Sequence, residues 1–89
     1  MMSDLGVVCI KWGLKPSLTV EIVKKGLSVE DSADIVVEKL KNGENVSNYI
    51  YSALCNGNYS IDEVKDALLK IASDEVMGLR EAFDYAGGR

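Results

Sequence analysis

The sequence has no histidine, one proline and only two cysteines among its 89 residues. Without histidine, a serine, threonine or cysteine nucleophile has no ordinary general base. Two cysteines without histidine cannot assemble a structural zinc site. No glycine-rich phosphate-binding motif occurs either. These absences predict that the protein is not an enzyme and uses no metal or cofactor.

Long hydrophobic runs are also missing. The longest apolar run, Val7 to Ile10, is far shorter than the roughly 20 residues that span a bilayer. The first four residues lack the basic start of a secretory signal peptide. We therefore expect a cytoplasmic protein without a membrane segment. Cys9 and Cys55 each lie in an apolar stretch, where cysteine usually acts as a small hydrophobe, and whether they pair stays open.

Size and charge limit the class of partner. A chain of 89 residues, 47% of them hydrophobic, predicts one globular domain over 1–89. Residues 1–41 contain six lysines and six acidic residues, whereas residues 42–89 contain eight acidic and four basic residues, which accounts for the net charge of −4. Binding to phosphates needs clustered cations. The charge distribution therefore favours a basic protein partner, or contributes only to solubility.

Two helix starts are the clearest structural signals. Ser28 and Ser60 are each followed three residues later by a carboxylate, Asp31 and Glu63, as in a capping box. Each start leads into apolar residues at helical spacing. The two stripes are Val29, Ala33, Val36, Val37 and Leu40, and Ile61, Val64, Leu68, Ile71 and Ala72. We expect the first helix to end at Gly43 in a left-handed cap.

Further helices complete the prediction of an all-α fold with four or five short helices. Residues 46–55 are apolar on nearly all sides, with Val46, Ile50, Ala53 and Leu54 on one face. Leucines and isoleucine at spacing four favour a helix over about 17–25, ended by Gly26. The pattern after Ser60 either continues toward Tyr85 or breaks near the cap signal at 73–75 and Gly78.

The N-terminal quarter has an alternative. Residues 7–12 and 19–23 are rich in β-forming side chains, and residues 13–17 could join them in a turn. An N-terminal β-hairpin followed by helices is therefore the alternative fold.

Three segments carry a resemblance to a known family. Residues 26–30 with Ala33 resemble the entry into a first motif helix, and residues 46–50 with the turn at 56–58 resemble a recognition helix. Residues 60–72 resemble the core helix that follows. Together, residues 18–72 resemble the Cro/Xre group of helix-turn-helix repressors, although Ser47 lies fourteen residues beyond Ala33, further than in the family.

The resemblance implies a DNA-binding transcriptional regulator. In that function Ser47, Asn48, Tyr51 and Ser52 would contact bases. The same segment contains no lysine or arginine, and phosphate contacts supply much of the affinity for DNA. DNA binding is therefore the alternative function.

Surplus apolar side chains favour a binding protein. Ile35 lies opposite the apolar stripe of its helix, Leu69 lies off the next stripe, and Tyr51 and Cys55 form a second face on theirs. A small bundle cannot bury all of these, and exposed apolar patches mark interfaces. We therefore expect a non-enzymatic regulatory or adaptor protein that binds proteins, including a second copy of itself, through Ile35, Tyr51, Cys55 and Leu69.

Overall fold

The computed structural model describes residues 3–57, 59–74 and 76–87, and within these ranges the chain forms six α-helices and no strand. The helices, α1 to α6, are Ser3–Lys11, Pro16–Lys25, Val29–Lys41, Asn48–Cys55, Ile61–Ser73 and Leu79–Ala86. The prediction of an all-α fold is confirmed. The alternative hairpin is not formed, because residues 7–11 lie in α1 and residues 19–23 lie in α2. The described ranges contain six helices where four or five were predicted, because the N-terminal segment and the segment after residue 60 each contain two.

Side chains and backbone amides close the helix starts that the sequence predicts. The Asp31 amide donates to the Ser28 hydroxyl at 3.0 Å, and the Ser60 amide donates to the Glu63 carboxylate at 3.0 Å. The first amides of a helix have no partner within the helix, so each contact satisfies a group that would otherwise need water. The predicted starts of α3 and α5 are confirmed.

Two glycines end helices in the left-handed conformation. Gly26 follows α2 with φ +64°, and Gly43 follows α3 with φ +85°. Their amides donate to the carbonyls of Val23 and Leu40 at 3.1 and 3.0 Å. No atom lies within 4 Å of a Cβ built at either glycine. The backbone conformation alone therefore favours glycine there.

The chain breaks between α5 and α6. Asp74 is extended after the end of α5, and the amide of Gly78 donates to the Glu81 carboxylate at 3.1 Å at the start of α6. Glu75, which belongs to the predicted cap signal, lies outside the described residues. Of the two alternatives for this stretch, the structure has the break.

All six helices contribute to one hydrophobic core. Helix α5 is central, because it packs against α1, α3 and α6. The largest wholly buried side chains are Trp12, Ile22, Ile50, Leu68, Ile71 and Phe83.

An exposed ion pair joins α3 and α5. Lys65 pairs with Asp34 at 2.8 Å, and the hydrogen bond to that carboxylate raises the pKa of Lys65. Such exposed pairs add little stability.

Trp12 attaches the N-terminal helices to the centre of the fold. Its ring is wholly buried, and its indole N–H donates to the Leu68 carbonyl in α5 at 2.8 Å. The Lys15 amide donates to the Val46 carbonyl at 2.9 Å, which fixes the α1–α2 connection beside the start of α4. Two hydrogen bonds to distant parts of the chain therefore hold this segment in place.

Replacing Trp12 with phenylalanine should lower the free energy of unfolding by about 2–4 kcal/mol, because the change removes a buried hydrogen bond and leaves a cavity. Urea denaturation followed by circular dichroism measures the change. The matched control is Tyr85→Phe, at a side chain that is 63% exposed, which should change stability by less than about 0.5 kcal/mol. Equal effects of the two substitutions would contradict the anchoring role of Trp12.

Candidate interaction surface

The longest stretch without a charged residue runs from Asn45 to Ile61, between Glu44 and Asp62. It covers 17 residues in a chain of which 27% are charged, so an average composition would place about four or five charges there. Helix α4 lies in the middle of this stretch. A count of charges along the chain is enough to reveal the stretch.

A narrow strip of side chains attaches α4 to the core. Ile50 is wholly buried, Ala53 nearly so, and Val46 is buried just before the helix begins. The Ser47 hydroxyl is also buried and accepts a hydrogen bond from the Ile50 amide at 3.4 Å, as an N-cap. The predicted inner face of this helix is therefore confirmed for these three apolar residues.

Most of the remaining residues at α4 face solvent, whereas Leu54 is half-buried and packs against the core. We call its exposed residues the α4 face; they are Asn48, Tyr49, Tyr51, Ser52, Cys55 and the C-cap residue Asn56. The face contains no charged side chain, and its two tyrosines are 38% and 40% exposed. Solvent-facing helix surfaces normally contain charged residues, whereas interface centres are depleted in charge and enriched in tyrosine. The composition of the α4 face is therefore that of an interface.

The α4 face has two edges, as the helical rotation of 100° per residue requires. Tyr51 and Cys55, one turn apart, form the first edge. Tyr49, Ser52 and Asn56 form the second edge, where the Asn56 side-chain amide donates to the Ser52 hydroxyl at 3.4 Å. The two edges point in different directions, so they can serve different contacts.

The second edge borders a cleft between α4 and α6. The cleft has a volume of about 270 Å³ and is lined by Tyr49, Ser52, Ala53, Asn56, Tyr59 and Arg80. The Tyr49 and Tyr59 rings both pack against the buried Phe83 ring, with centroids 6.1 and 4.9 Å away. The Tyr59 hydroxyl also donates to the Asp84 carboxylate at 2.5 Å. The two aromatic walls are therefore held in place by the core.

The structure brings together two of the four residues predicted for a protein interface. Tyr51 and Cys55 are exposed on one edge of α4. Ile35 in α3 and Leu69 in α5 are half-buried, and Leu69 packs against the core. Helix α5 has neighbours on three sides, which the sequence pattern of a single helix did not reveal.

Three of the four residues predicted to contact DNA are exposed, and one is buried. Asn48, Tyr51 and Ser52 are exposed, whereas Ser47 is buried with its hydroxyl occupied as the cap of α4. Base contact by Ser47 stays a prediction, and in this structure its hydroxyl is buried at the start of α4. Asn58, part of the turn that resembles the repressor family, lies outside the described residues.

A second exposed apolar group lies on the first two helices. Val7 and Ile10, three residues apart in α1, are 53% and 72% exposed, and Val20 in α2 is 56% exposed. The α1–α2 contact is close, because a Cβ built at Gly6 would lie 3.9 Å from Val23. The sequence alone does not predict the exposure of these residues, because the helix and hairpin alternatives place different side chains on the outer face.

The two cysteines are unpaired and differ in environment. Cys9 is buried and Cys55 is exposed, and burial raises the pKa of the Cys9 thiol. In the part of the chain that the structure describes, no group of three or more Cys, Asp or Glu side chains could hold a metal ion. None of the helices within the described ranges has the length and hydrophobicity that crossing a bilayer requires.

We expect one thiol per chain to react rapidly with Ellman's reagent in the native protein, and the second only after denaturation. The reagent attacks thiolates, and Cys9 is both buried and held toward the neutral thiol by its raised pKa, so it should stay unreactive in the native protein even at a pH equal to the ordinary cysteine pKa. The variant Cys55→Ser should lose the fast phase alone. Two fast thiols in the native protein would contradict the burial of Cys9.

Comparison of the chain with protein-family models, with curated proteins and with solved structures finds no match in any of the three.

Proposed function

We propose that this is a small non-catalytic regulatory or adaptor protein that associates with a second copy of itself through the α4 face. The observation that carries the proposal is the composition of that face, which combines two half-exposed tyrosines with no charged side chain. Tyrosine supplies a large contact area at a low cost in side-chain entropy. A charge-free surface loses little solvation when a partner covers it.

The net charge favours this face for contact between copies. Each chain has a charge of −4, so two copies repel one another over most orientations. The repulsion is smallest where no acidic side chain approaches its equivalent, and the α4 face meets that condition. Closed two-fold dimers are the commonest homo-oligomers. In a dimer centred on the first edge, Tyr51 and Cys55 would face the same edge of the other copy.

The exposed thiol supports a cytoplasmic location. An unpaired exposed cysteine persists in a reducing compartment and oxidises elsewhere. Cys55 is such a cysteine. In the proposed dimer it lies near the two-fold axis, so a short bis-maleimide should cross-link two chains through this residue.

The variant Tyr51→Glu should raise the dissociation constant of the dimer at least tenfold, equivalent to about 1.4 kcal/mol, because the two-fold axis brings two glutamates close together in a poorly solvated contact. Sedimentation equilibrium and light scattering over a concentration series measure this change. Circular dichroism melting checks that the variant stays folded.

The matched control is Tyr85→Glu, which makes the same substitution at an exposed tyrosine outside the α4 face. Its dissociation constant should remain within about twofold of the original. A wild-type chain that stays monomeric at every concentration, or an equal effect of the two glutamates, would refute self-association through α4.

The DNA-binding alternative predicts salt-sensitive binding to duplex DNA, which the proposed function does not. A complex based on phosphate contacts binds at about 50 mM salt and weakens by orders of magnitude at about 200 mM. We expect no binding of labelled duplex DNA at the lower salt concentration, because α4 has no cation. Salt-sensitive binding that Asn48→Ala and Ser52→Ala weaken would favour the repressor-like function instead.

A further inference from the structure

We propose that the cleft between α4 and α6 binds the carboxylate of a glutamate side chain presented by a different protein, with Arg80 as its anchor. This proposal goes beyond self-association, because the cleft combines only the second edge of the α4 face with Arg80 and Tyr59, whereas the proposed dimer is centred on the first edge. The cleft is thus a second contact site on the same protein.

Arg80 is available for an anionic partner. It is exposed in the first turn of α6, and no carboxylate of the described chain lies within ion-pair distance of it. The other two charged residues of α6 are already engaged, since Glu81 accepts from the Gly78 amide and Asp84 accepts from the Tyr59 hydroxyl. The guanidinium therefore keeps its two parallel donors for a carboxylate, which it binds in a bidentate geometry.

The two aromatic walls of the cleft already pack on the core without any ligand. The rings of Tyr49 and Tyr59 both pack on Phe83, which is wholly buried. Binding to a surface that is already ordered avoids the entropy cost of immobilising side chains. The methylene groups of a glutamate would lie between these rings while its carboxylate reaches Arg80.

Polar groups at the rim complement the guanidinium. The Ser52 hydroxyl accepts a hydrogen bond from the Asn56 amide, so its own hydrogen is left to donate. Asn56 has a second amide hydrogen as well. The cleft therefore offers neutral donors beside one cation, and a carboxylate accepts from both kinds.

The volume of the cleft selects a single side chain. Small-molecule pockets usually measure about 300–1,000 Å³. A cleft of about 270 Å³ lies just below that range. It therefore fits a group the size of one side chain better than a drug-sized ligand.

Charge selects a carboxylate over a phosphate. The cleft contains one cation, Arg80, and residues 42–89 have a net charge of −4. One guanidinium neutralises a monoanionic carboxylate. A phosphate group has a charge of about −1.5 to −2 at neutral pH, more than one guanidinium neutralises. The acidic surroundings would repel the remaining negative charge.

The probe that tests the site is the α-amide of N-acetylglutamate, which has a single side-chain carboxylate. Its neutral glutamine analogue is the matched control, and inorganic phosphate is the competing anion. In a ¹⁵N NMR titration we expect the glutamate probe to shift the Arg80 Nε–H and the Asn56 side-chain amide. The glutamine analogue and phosphate should bind at least tenfold more weakly. Equal shifts from all three compounds, or none, would overturn the proposal.

Variants separate this site from the α4 interface. Arg80→Gln should weaken the glutamate probe at least tenfold, and Arg80→Lys should restore only part of the affinity, because lysine lacks the bidentate geometry. The control Lys24→Gln removes the same charge from an exposed position in α2 and should leave binding unchanged. The dissociation constant of the dimer should also be unchanged in Arg80→Gln. A weaker dimer in that variant would assign the cleft to the second copy and overturn the proposal of a different partner.

Discussion

The hydrogen bond from the Trp12 indole to the Leu68 carbonyl joins two parts of the molecule that are 56 positions apart in the chain. Leu68 lies in α5, against which α1, α3 and α6 all pack. A buried indole without an acceptor would destabilise the fold, so the position of α1 is tied to that of α5. The connection after Trp12 in turn fixes the residues that lead into α4. The placement of the exposed surfaces therefore depends on this buried contact.

Local signals made most of the helices predictable. The caps at Ser28 and Ser60 act within one helical turn, so the sequence shows them without knowledge of the fold. The N-terminal segment was ambiguous because its β-forming side chains compete with helical spacing. The ambiguity is resolved by tertiary packing, since Cys9 and Trp12, three residues apart, are both wholly buried. A contact with distant α5 decides that outcome, and no local pattern contains it.

The candidate surfaces differ in the same way. Tyr51 and Cys55 could be predicted to share an exposed edge, because the periodicity of one helix determines it. The half-burial of Leu69 depends on the packing of neighbouring helices, which a single stripe does not reveal. The cleft was not predictable at all, because Tyr49, Tyr59 and Arg80 come from three separate segments. These residues come together because Tyr49 and Tyr59 both pack on Phe83, which lies in the same helix as Arg80.

Helices α4 and α6 have eight residues each, which is about two turns and too short for stability in isolation. Each depends on anchors in the core, chiefly Ile50 and Phe83, so their backbones should open at a lower free energy than that of α5. Any ligand that requires them folded suppresses this opening by mass action. Binding at the α4 face or in the cleft should therefore be detected first as slower amide hydrogen exchange in these two helices. Binding would therefore change the local unfolding of α4 and α6 without changing the fold.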